Sequence, residues 1–249
     1  MIQDLHSHTY YSFCGADTPD AVVEAAIRGG VELLGITDHN YGIALHRPDT
    51  EFKDEYARVC DYQRSLNAYL AHMRRVSAQY ADKLTILCGV EIATLKEKWL
   101  RLPDGVDISG FDYCLVEHIH HADTMAPDLF AFAARCGCGR VGIAHTDLFG
   151  FLKSTGKEPE DYFRRMAQAG IFWELNVNYD SIHGYHEHAY VREFLNDAEK
   201  QEIVRRSGVE VSVGFDGHRV GDYAPERIHD ACRKLETLGI RQAFSQSTP

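Results

Sequence analysis

Ile2-Gln3-Asp4-Leu5-His6-Ser7-His8-Thr9 begins with a predicted strand over residues 2–5 and continues into two histidines. Residues two apart on an extended segment point to the same face, so His6 and His8 can bind one ion together. Further along the chain, apolar runs again end in side chains that can ligate a metal. A β/α barrel gathers the carboxyl ends of its strands at one face, so this order predicts one shared site. The later runs end in Thr37-Asp38-His39, Gly89-Val90-Glu91, Glu117-His118, Ala144-His145, Trp173-Glu174 and Asp216-Gly217-His218.

Candidate strands alternate with helical patterns along the whole chain. The intervals between Glu91, His118, His145 and Glu174 are nearly equal and close to the ~30 residues of one strand-helix unit. Alternating strands and helices form a parallel α/β sheet, and seven strand ends meeting at one site favour a distorted (β/α)7 barrel of the TIM type. An open doubly wound sheet is the alternative, although its GxGxxG loop is absent. The predicted strands are 2–5, 33–37, 84–90, 113–116, 140–144, 171–175 and 209–214, and the predicted helices are 19–29, 52–81, 127–136, 159–169, 187–206 and 225–238.

The composition is that of a single globular domain over residues 1–249. Hydrophobic residues make up 45% and charged residues 25% of the chain, and no linker-like stretch divides it. The formal charge of −11 argues against a nucleic-acid partner, because binding to phosphates needs a basic surface. We expect a cytoplasmic protein without a membrane partner, since neither a long apolar span nor a signal-like start is present. The seven cysteines form no CxxC pair and are expected to be reduced.

Carboxylates next to imidazoles supply mixed oxygen and nitrogen donors at several strand ends. Such a set suits Zn²⁺, Mn²⁺ or Fe²⁺ better than Ca²⁺. Glu91 follows an almost wholly apolar strand, where a carboxylate is costly to bury unless cations neutralise it. Glu91 is therefore expected to bridge two metal ions, the alternative being that it caps a helix beginning near Ala93.

Other polar residues leave more than one interpretation open. His118 is the predicted strand-end ligand, with His120 or His121 as substitutes. Glu174 and Asn176 share a strand face and could orient the histidines through hydrogen bonds. A loop cluster before the helix at 187–206 could ligate a metal, cover the substrate or simply be exposed, and it consists of His183, His186 and His188.

Taken together, these motifs resemble those of the PHP superfamily, the polymerase and histidinol phosphatase fold. The similarity covers nearly the whole chain, with the motifs in the same order. It implies a distorted (β/α)7 barrel that holds up to three metal ions at the carboxyl ends of its strands and serves phosphoester hydrolysis. The motifs that carry it are Asp4-Leu5-His6-Ser7-His8-Thr9, Gly35-Ile36-Thr37-Asp38-His39, Gly89-Val90-Glu91, Ala144-His145 and Asp216-Gly217-His218.

The resemblance also implies which ion each ligand binds. The family supplies one more ligand to the third ion from the loop after the first motif, where this chain reads Tyr11-Ser12-Phe13-Cys14-Gly15-Ala16-Asp17. Asp17 is the expected ligand in that loop, with Cys14 as the alternative. Carried over motif by motif, the first ion would bind His6, His8, Glu91 and Asp216, the second Glu91, His118 and His145, and the third His39 and His218.

We therefore expect a metal-dependent phosphoesterase that hydrolyses a small phosphorylated metabolite, with two or three Zn²⁺, Mn²⁺ or Fe²⁺ ions as cofactors. Metal-activated hydroxide would attack phosphorus, with Glu91 and Asp216 holding the ions. Asp38 or a metal-bound water would assist proton transfer to the leaving group. Arg219 and Lys153 are candidate phosphate contacts. Two alternatives stay open: hydrolysis of a C–N bond by the same metal chemistry, and a non-catalytic module that metal ions stabilise. The nearly complete ligand set disfavours the second alternative.

Overall fold

The computed structural model describes residues 1–45, 59–97 and 100–245. Pro19, Pro159 and Pro225 each occupy the first turn of a helix, where a missing N–H costs no hydrogen bond. Strands β1 to β7 span Gln3–Asp4, Leu33–Ile36, Thr85–Ala93, Tyr113–Glu117, Val141–Ile143, Ile171–Asn176 and Val211–Gly214. Helices α1 to α9 span Pro19–Arg28, Asn40–Leu45, Val59–Gln79, Leu129–Cys136, Leu148–Thr155, Pro159–Gln168, Ala189–Asn196, Ala198–Ser207 and Pro225–Thr237.

The strands form one parallel sheet in chain order, from β1 to β7. Its two edges meet, because the Leu5 N–H donates to the Val213 carbonyl at 2.8 Å and the Asp216 N–H donates to the His6 carbonyl at 2.7 Å. The sheet thus closes into a short, distorted barrel with helices around it. The predicted (β/α)7 fold is confirmed, and the carboxyl ends of all seven strands lie at one face.

Large side chains fill the inside of the barrel below this face. Tyr113, Leu115 and Phe172 pack there as one buried cluster. The Tyr113 hydroxyl donates to the Leu5 carbonyl at 2.7 Å. A Cβ at Gly35 would lie 1.8 Å from the Tyr113 hydroxyl oxygen, so only glycine leaves room for the ring. The strand ends therefore rest on a close-packed floor.

Two predicted boundaries are wrong. Strand β3 continues through Glu91 to Ala93, so Glu91 lies inside a strand and does not cap a helix. The single helix predicted over 187–206 is two helices, α7 and α8. Asp197 separates them, because its carboxylate accepts hydrogen bonds from two N–H groups in the first turn of α8.

The helix predicted over 52–81 is confirmed in its described part as α3, whereas residues 52–58 lie outside the described residues. Two short helices, α2 and α5, were not predicted. Each follows its strand almost directly, and the Asp147 carboxylate caps α5 by accepting a hydrogen bond from the Gly150 N–H at 2.9 Å. Among the helices of the described ranges, none has both the length and the apolar composition that crossing a membrane requires.

Candidate metal centre

Glu91 lies at the centre of a buried group of imidazoles at the carboxyl face of the barrel. Its Oε2 is 3.3 Å from His6 Nε2, 3.4 Å from His8 Nε2 and 3.0 Å from His39 Nδ1. Its Oε1 is 3.1 Å from His145 Nε2. The two oxygens of one carboxylate thus face two separate sets of histidine nitrogens.

Asp216 places a second carboxylate beside the first pair of histidines. Its Oδ1 is 3.0 Å from His8 Nε2 and 3.5 Å from His6 Nε2. The two ring nitrogens are themselves 3.2 Å apart. One cation could contact all three atoms, so the structure brings together the residues predicted for the first ion.

Glu117 belongs to a second group of potential ligands. The sequence analysis assigned its neighbour His118 as the ligand at this strand end and did not assign Glu117. It ends β4 with 4% of its surface exposed, and one oxygen each of Glu91 and Glu117 lies within 4.8 Å of the other and of a His145 nitrogen. The predicted ligand His118 is adjacent, with its Nδ1 3.0 Å from Glu117 Oε2. The signal for Glu117 was the one used for Glu91: a carboxylate at the end of a wholly buried strand needs a neutralising partner.

Four buried polar atoms of these groups lack a hydrogen-bond partner among the described residues. Buried polar atoms are nearly always paired, and leaving one unpaired costs about 1–3 kcal/mol. All four belong to side chains already in mutual contact, so divalent cations among them would satisfy every one. The donor set of carboxylates and imidazoles therefore fits the predicted metal ions. The four atoms are His39 Nδ1, Glu91 Oε2, Glu117 Oε1 and His118 Nδ1.

Left-handed backbone recurs at the strand ends of the site. The φ angle is 64° at His118, 21° at His145 and 55° at Asp216. A non-glycine residue in this region costs of order 1 kcal/mol or more, and such strain persists where the surrounding structure enforces it. The backbone thus adopts an unfavourable conformation at the residues whose side chains point into the site.

Glu174 orients two of the histidines, as the sequence suggested. Its Oε1 lies 2.8 Å from His6 Nδ1, and its Oε2 accepts a hydrogen bond from the His145 N–H at 2.6 Å. Asn176, on the same strand face, donates to Asp216 Oδ2 at 3.2 Å. The His6 ring and the Asp216 carboxylate are therefore held by residues outside the two ligand groups, and the backbone of His145 is fixed beside them.

Replacing Glu174 with Gln is expected to weaken metal binding by about 10–100-fold, because Gln cannot accept with both terminal atoms. Titration of the metal-free protein with Zn²⁺ against a competing chelator measures this affinity. Glu187→Gln is the matched control. Glu187 lies in the loop between β6 and α7 and forms an ion pair with Arg227 on α9. Equal affinity in the wild type and the Glu174 variant would contradict the orienting role.

Asp38 is buried and accepts several hydrogen bonds from the loop after β1. Its Oδ1 accepts hydrogen bonds from the Thr9 N–H at 2.7 Å and from the Ser12 N–H and hydroxyl at 3.1 and 2.8 Å. Its Oδ2 accepts from the Thr9 hydroxyl at 2.7 Å. Burial raises the pKa of Asp38, but the side chain is 0% exposed and its oxygens are already engaged. Asp38 thus fixes the loop after β1 to the end of β2, and its role in proton transfer stays a prediction.

The same loop carries both candidates for the additional ligand, and the structure separates them. Asp17 Oδ2 accepts a hydrogen bond from the Val220 N–H at 2.8 Å, and Asp17 lies outside the groups of potential ligands found among the described residues. Cys14 Sγ lies in one such group with a nitrogen each of His8 and His218. Burial raises the pKa of the Cys14 thiol to about 12.

Two residues of the loop after β6 also reach the cluster. Asp180 is buried, with its Oδ1 2.9 Å from His183 Nδ1 and its Oδ2 3.0 Å from His218 Nδ1. His183 Nε2 is 4.0 Å from Asp216 Oδ2. His183 thus borders the site, whereas nothing in the sequence pattern marked Asp180.

The remaining predicted contacts are unequally placed. His188 stacks parallel to His145 with ring centres 6.1 Å apart, whereas His186 is exposed. Arg219 is exposed and directly follows His218 at the rim. Lys153 is exposed in the last turn of α5, beyond the part of that helix nearest β5. Of the two candidate phosphate contacts, Arg219 is the better placed.

Strong electrostatic coupling links the buried groups. Burial opposes the charged forms of Glu91 and Asp216, but the surrounding histidines hold the pKa of both carboxylates well below their usual values. Burial and the nearby Glu91 charge raise the pKa of Glu117 well above its usual value. Burial disfavours the charged form of His145, but the hydrogen bond and charge of Glu91 raise its pKa to about 9.

These shifts predict a pH dependence for the metal-free protein. A histidine whose folded pKa is raised from 6.5 to about 9 stabilises the fold fully below pH 6.5 and loses that contribution as the pH rises through 9. For His145 the loss is about 3 kcal/mol, and the raised pKa values of His6 and Glu117 act in the same direction. Urea unfolding of metal-free protein at pH 6.5 and 9 measures the difference. A free energy of unfolding that rises across this window would contradict the coupling.

Part of this chain is similar in sequence to a known protein. A histidinol-phosphatase of Lactococcus lactis subsp. lactis (strain IL1403) is 24% identical over 112 residues, which is 45% of this chain and 37% of that protein. The match therefore spans little more than a third of the relative's length.

The fold recurs in a solved structure. The crystal structure of a histidinol phosphate phosphatase from Lactococcus lactis subsp. lactis Il1403, complexed with zinc, L-histidinol and phosphate, aligns with a TM-score of 0.58 at 15% identity, over 96% of this chain and 94% of that chain. A putative histidinol phosphatase from Listeria monocytogenes aligns with a TM-score of 0.45 at 16% identity, over 89% of this chain and 97% of that chain.

The family assignment rests on a match along almost the entire chain. The sequence model of the PHP domain matches residues 4–238, a range that begins just before His6 and ends after His218. The resemblance seen in the motifs is thereby confirmed, and the chain belongs to the PHP domain family.

Proposed function

We propose that this protein is a metal-dependent phosphoesterase that hydrolyses a small phosphomonoester. The observation that carries the proposal is the position of Glu91. Its two oxygens lie 3.0–3.4 Å from histidine nitrogens on opposite sides, so its carboxylate can join two cations. Paired cations are the usual means of clamping both the attacking and the leaving oxygen in phosphoryl transfer. Membership of the PHP family supports the same reaction.

The metal ligands divide between the two sides of Glu91. On one side lie three histidines, His6, His8 and His39, with the Asp216 carboxylate. On the other side lie His145 and the Glu117 carboxylate, with His118 beside them. We infer divalent Zn²⁺, Mn²⁺ or Fe²⁺ as the cofactor, because these ions accept mixed nitrogen and oxygen ligands. The first ion would be held by His6, His8, Glu91 and Asp216, and the second by Glu91, Glu117, His118 and His145.

When bound, the metal ions would lower the pKa of a coordinated water and neutralise charge on the phosphoryl oxygens. The protein keeps the ligand atoms at fixed positions. Glu174 holds the His6 ring and the His145 backbone, and Asn176 holds Asp216. Arg219, at the rim, could bind a phosphoryl oxygen through its guanidinium group.

The test is an assay of the protein loaded with Zn²⁺ or Mn²⁺ against two panels, phosphomonoesters that include histidinol phosphate, and cyclic amides. We expect turnover of phosphomonoesters alone. Turnover of cyclic amides alone would support C–N hydrolysis instead. Inertness toward both panels at full metal content, measured by elemental analysis, would support a non-catalytic module.

The cytoplasmic location remains a prediction from the sequence.

A further inference from the structure

Cys14 brings a sulfur atom to the edge of a site otherwise built of nitrogen and oxygen ligands. Its Sγ and one ring nitrogen each of His8 and His218 all lie within 4.8 Å of one another. We propose that Cys14 is a thiolate ligand of a third divalent ion, bound together with His218. The inference rests on the proposed metal centre, but it does not depend on which ester the protein hydrolyses.

The loop that carries Cys14 is fixed on both sides of this residue. Before it, Ser12 donates its N–H and its hydroxyl to the buried Asp38 carboxylate. After it, the Ala16 N–H donates to the His218 carbonyl at 2.9 Å. A Cβ at Gly15 would lie only 2.1 Å from the Thr9 carbonyl oxygen, so the turn is too tight for another residue. Cys14 is therefore held between two anchored positions.

The Nδ1 atom of each of the two histidines already has a hydrogen-bonding partner. His218 Nδ1 is 3.0 Å from the Asp180 carboxylate, and His8 Nδ1 is 3.1 Å from the Ser12 hydroxyl. Each ring therefore has its Nε2 left for the cluster, where both Nε2 atoms lie within 3.7 Å of Asp216 Oδ1. A carboxylate or hydroxyl partner on the far nitrogen is the usual support of a metal-binding histidine.

Asp17, the competing candidate, serves a different purpose. Its carboxylate accepts the Val220 N–H at 2.8 Å, and its carbonyl accepts the Tyr10 N–H at 2.8 Å. These bonds tie the loop after β1 to the segment after His218. Asp17 therefore braces the loop in which Cys14 lies.

A sulfur ligand changes which metal the third position prefers. Thiolate is a soft donor that favours Zn²⁺, Fe²⁺ or Co²⁺, whereas an oxygen ligand such as Asp17 would favour Mn²⁺ or Mg²⁺. We expect the third ion to be retained in Zn²⁺-loaded protein and to be bound much more weakly when only Mn²⁺ is supplied.

Cobalt substitution tests the ligand directly, because a thiolate bound to Co²⁺ gives a charge-transfer absorption in the near-ultraviolet. The Co²⁺-loaded wild type should show this band, and Cys14→Ser should lose it together with one bound ion. Cys14→His should restore the ion without the band. Cys136→Ser is the matched control and should keep the band, since the Cys114–Cys136 pair, with sulfurs 3.5 Å apart, is another place where cobalt could meet a thiolate.

X-ray absorption at the zinc edge gives a second measurement. The Zn²⁺-loaded wild type should show a sulfur scatterer at about 2.3 Å, and Cys14→Ser should lose it. Absence of the band in the wild type, or persistence of the band or of the sulfur scatterer in Cys14→Ser, would each overturn the proposal. A protein that shows the band but hydrolyses no phosphomonoester would refute the proposed function and leave the ligand assignment intact.

Discussion

Replacing Glu91 with Gln is expected to abolish phosphomonoester hydrolysis while the barrel stays folded. Gln has the same shape but no negative charge, so it cannot hold cations through both terminal atoms. The loss should exceed the roughly 10²–10³-fold that removal of one preorganised electrostatic partner costs. Steady-state kinetics with a phosphomonoester and elemental analysis of the purified variant measure turnover and metal content side by side.

The control for this variant is Glu202→Gln, which removes an exposed carboxylate paired with Arg205 on α8. Its kinetics and metal content should equal those of the wild type. Circular dichroism should show that both variants retain the wild-type secondary structure. Unchanged metal content and turnover in Glu91→Gln would refute the assignment of Glu91 as the shared ligand.

Glu91 also illustrates how much of the site the sequence could predict. A charged residue at the end of an apolar strand can be recognised from the sequence alone. Parallel strands then bring such ends together at one face of the barrel, whatever the details of side-chain packing. His6, His8, His145 and Asp216 were found by the same reasoning, and the structure places all four within 4 Å of a carboxylate or imidazole partner in the cluster. The barrel itself followed from the regular spacing of these ends.

Asp38 and Asp17 show what this reasoning leaves undecided. Both stand beside metal-binding motifs, yet their carboxylates accept backbone N–H groups and hold loops together. Local sequence does not distinguish a carboxylate that binds a cation from one that binds peptide donors, because the choice depends on which N–H groups the folded loops present. Asp180 was missed for a related reason. Its partners His183 and His218 belong to two different loops, which only the folded chain brings together.

Removal of all metal ions with a chelator is expected to eliminate activity and to lower the thermal stability of the fold. Without cations, one oxygen each of the buried Glu91 and Glu117 remain within 4.8 Å of each other, and Asp216 contacts the same His6 and His8 rings as Glu91. Histidines and protonation then have to balance the charge that the metal ions would otherwise neutralise. A ligand present at 1,000 times its Kd stabilises the folded state by about 4 kcal/mol. In a chain of this size, that corresponds to a fall in Tm of roughly 10 °C for each ion removed.

Differential scanning calorimetry before and after chelation, followed by Zn²⁺ readdition, measures this effect. Activity and Tm should recover together, because the same ions complete both the reaction site and the buried charge balance. Glu91→Gln serves as the internal comparison: it binds fewer ions and has lost one buried charge, so the chelator should lower its Tm by less than that of the wild type. If the chelator removes the ions and activity disappears while the wild-type Tm stays constant, the histidines alone neutralise the carboxylates, and the metals act only in the reaction.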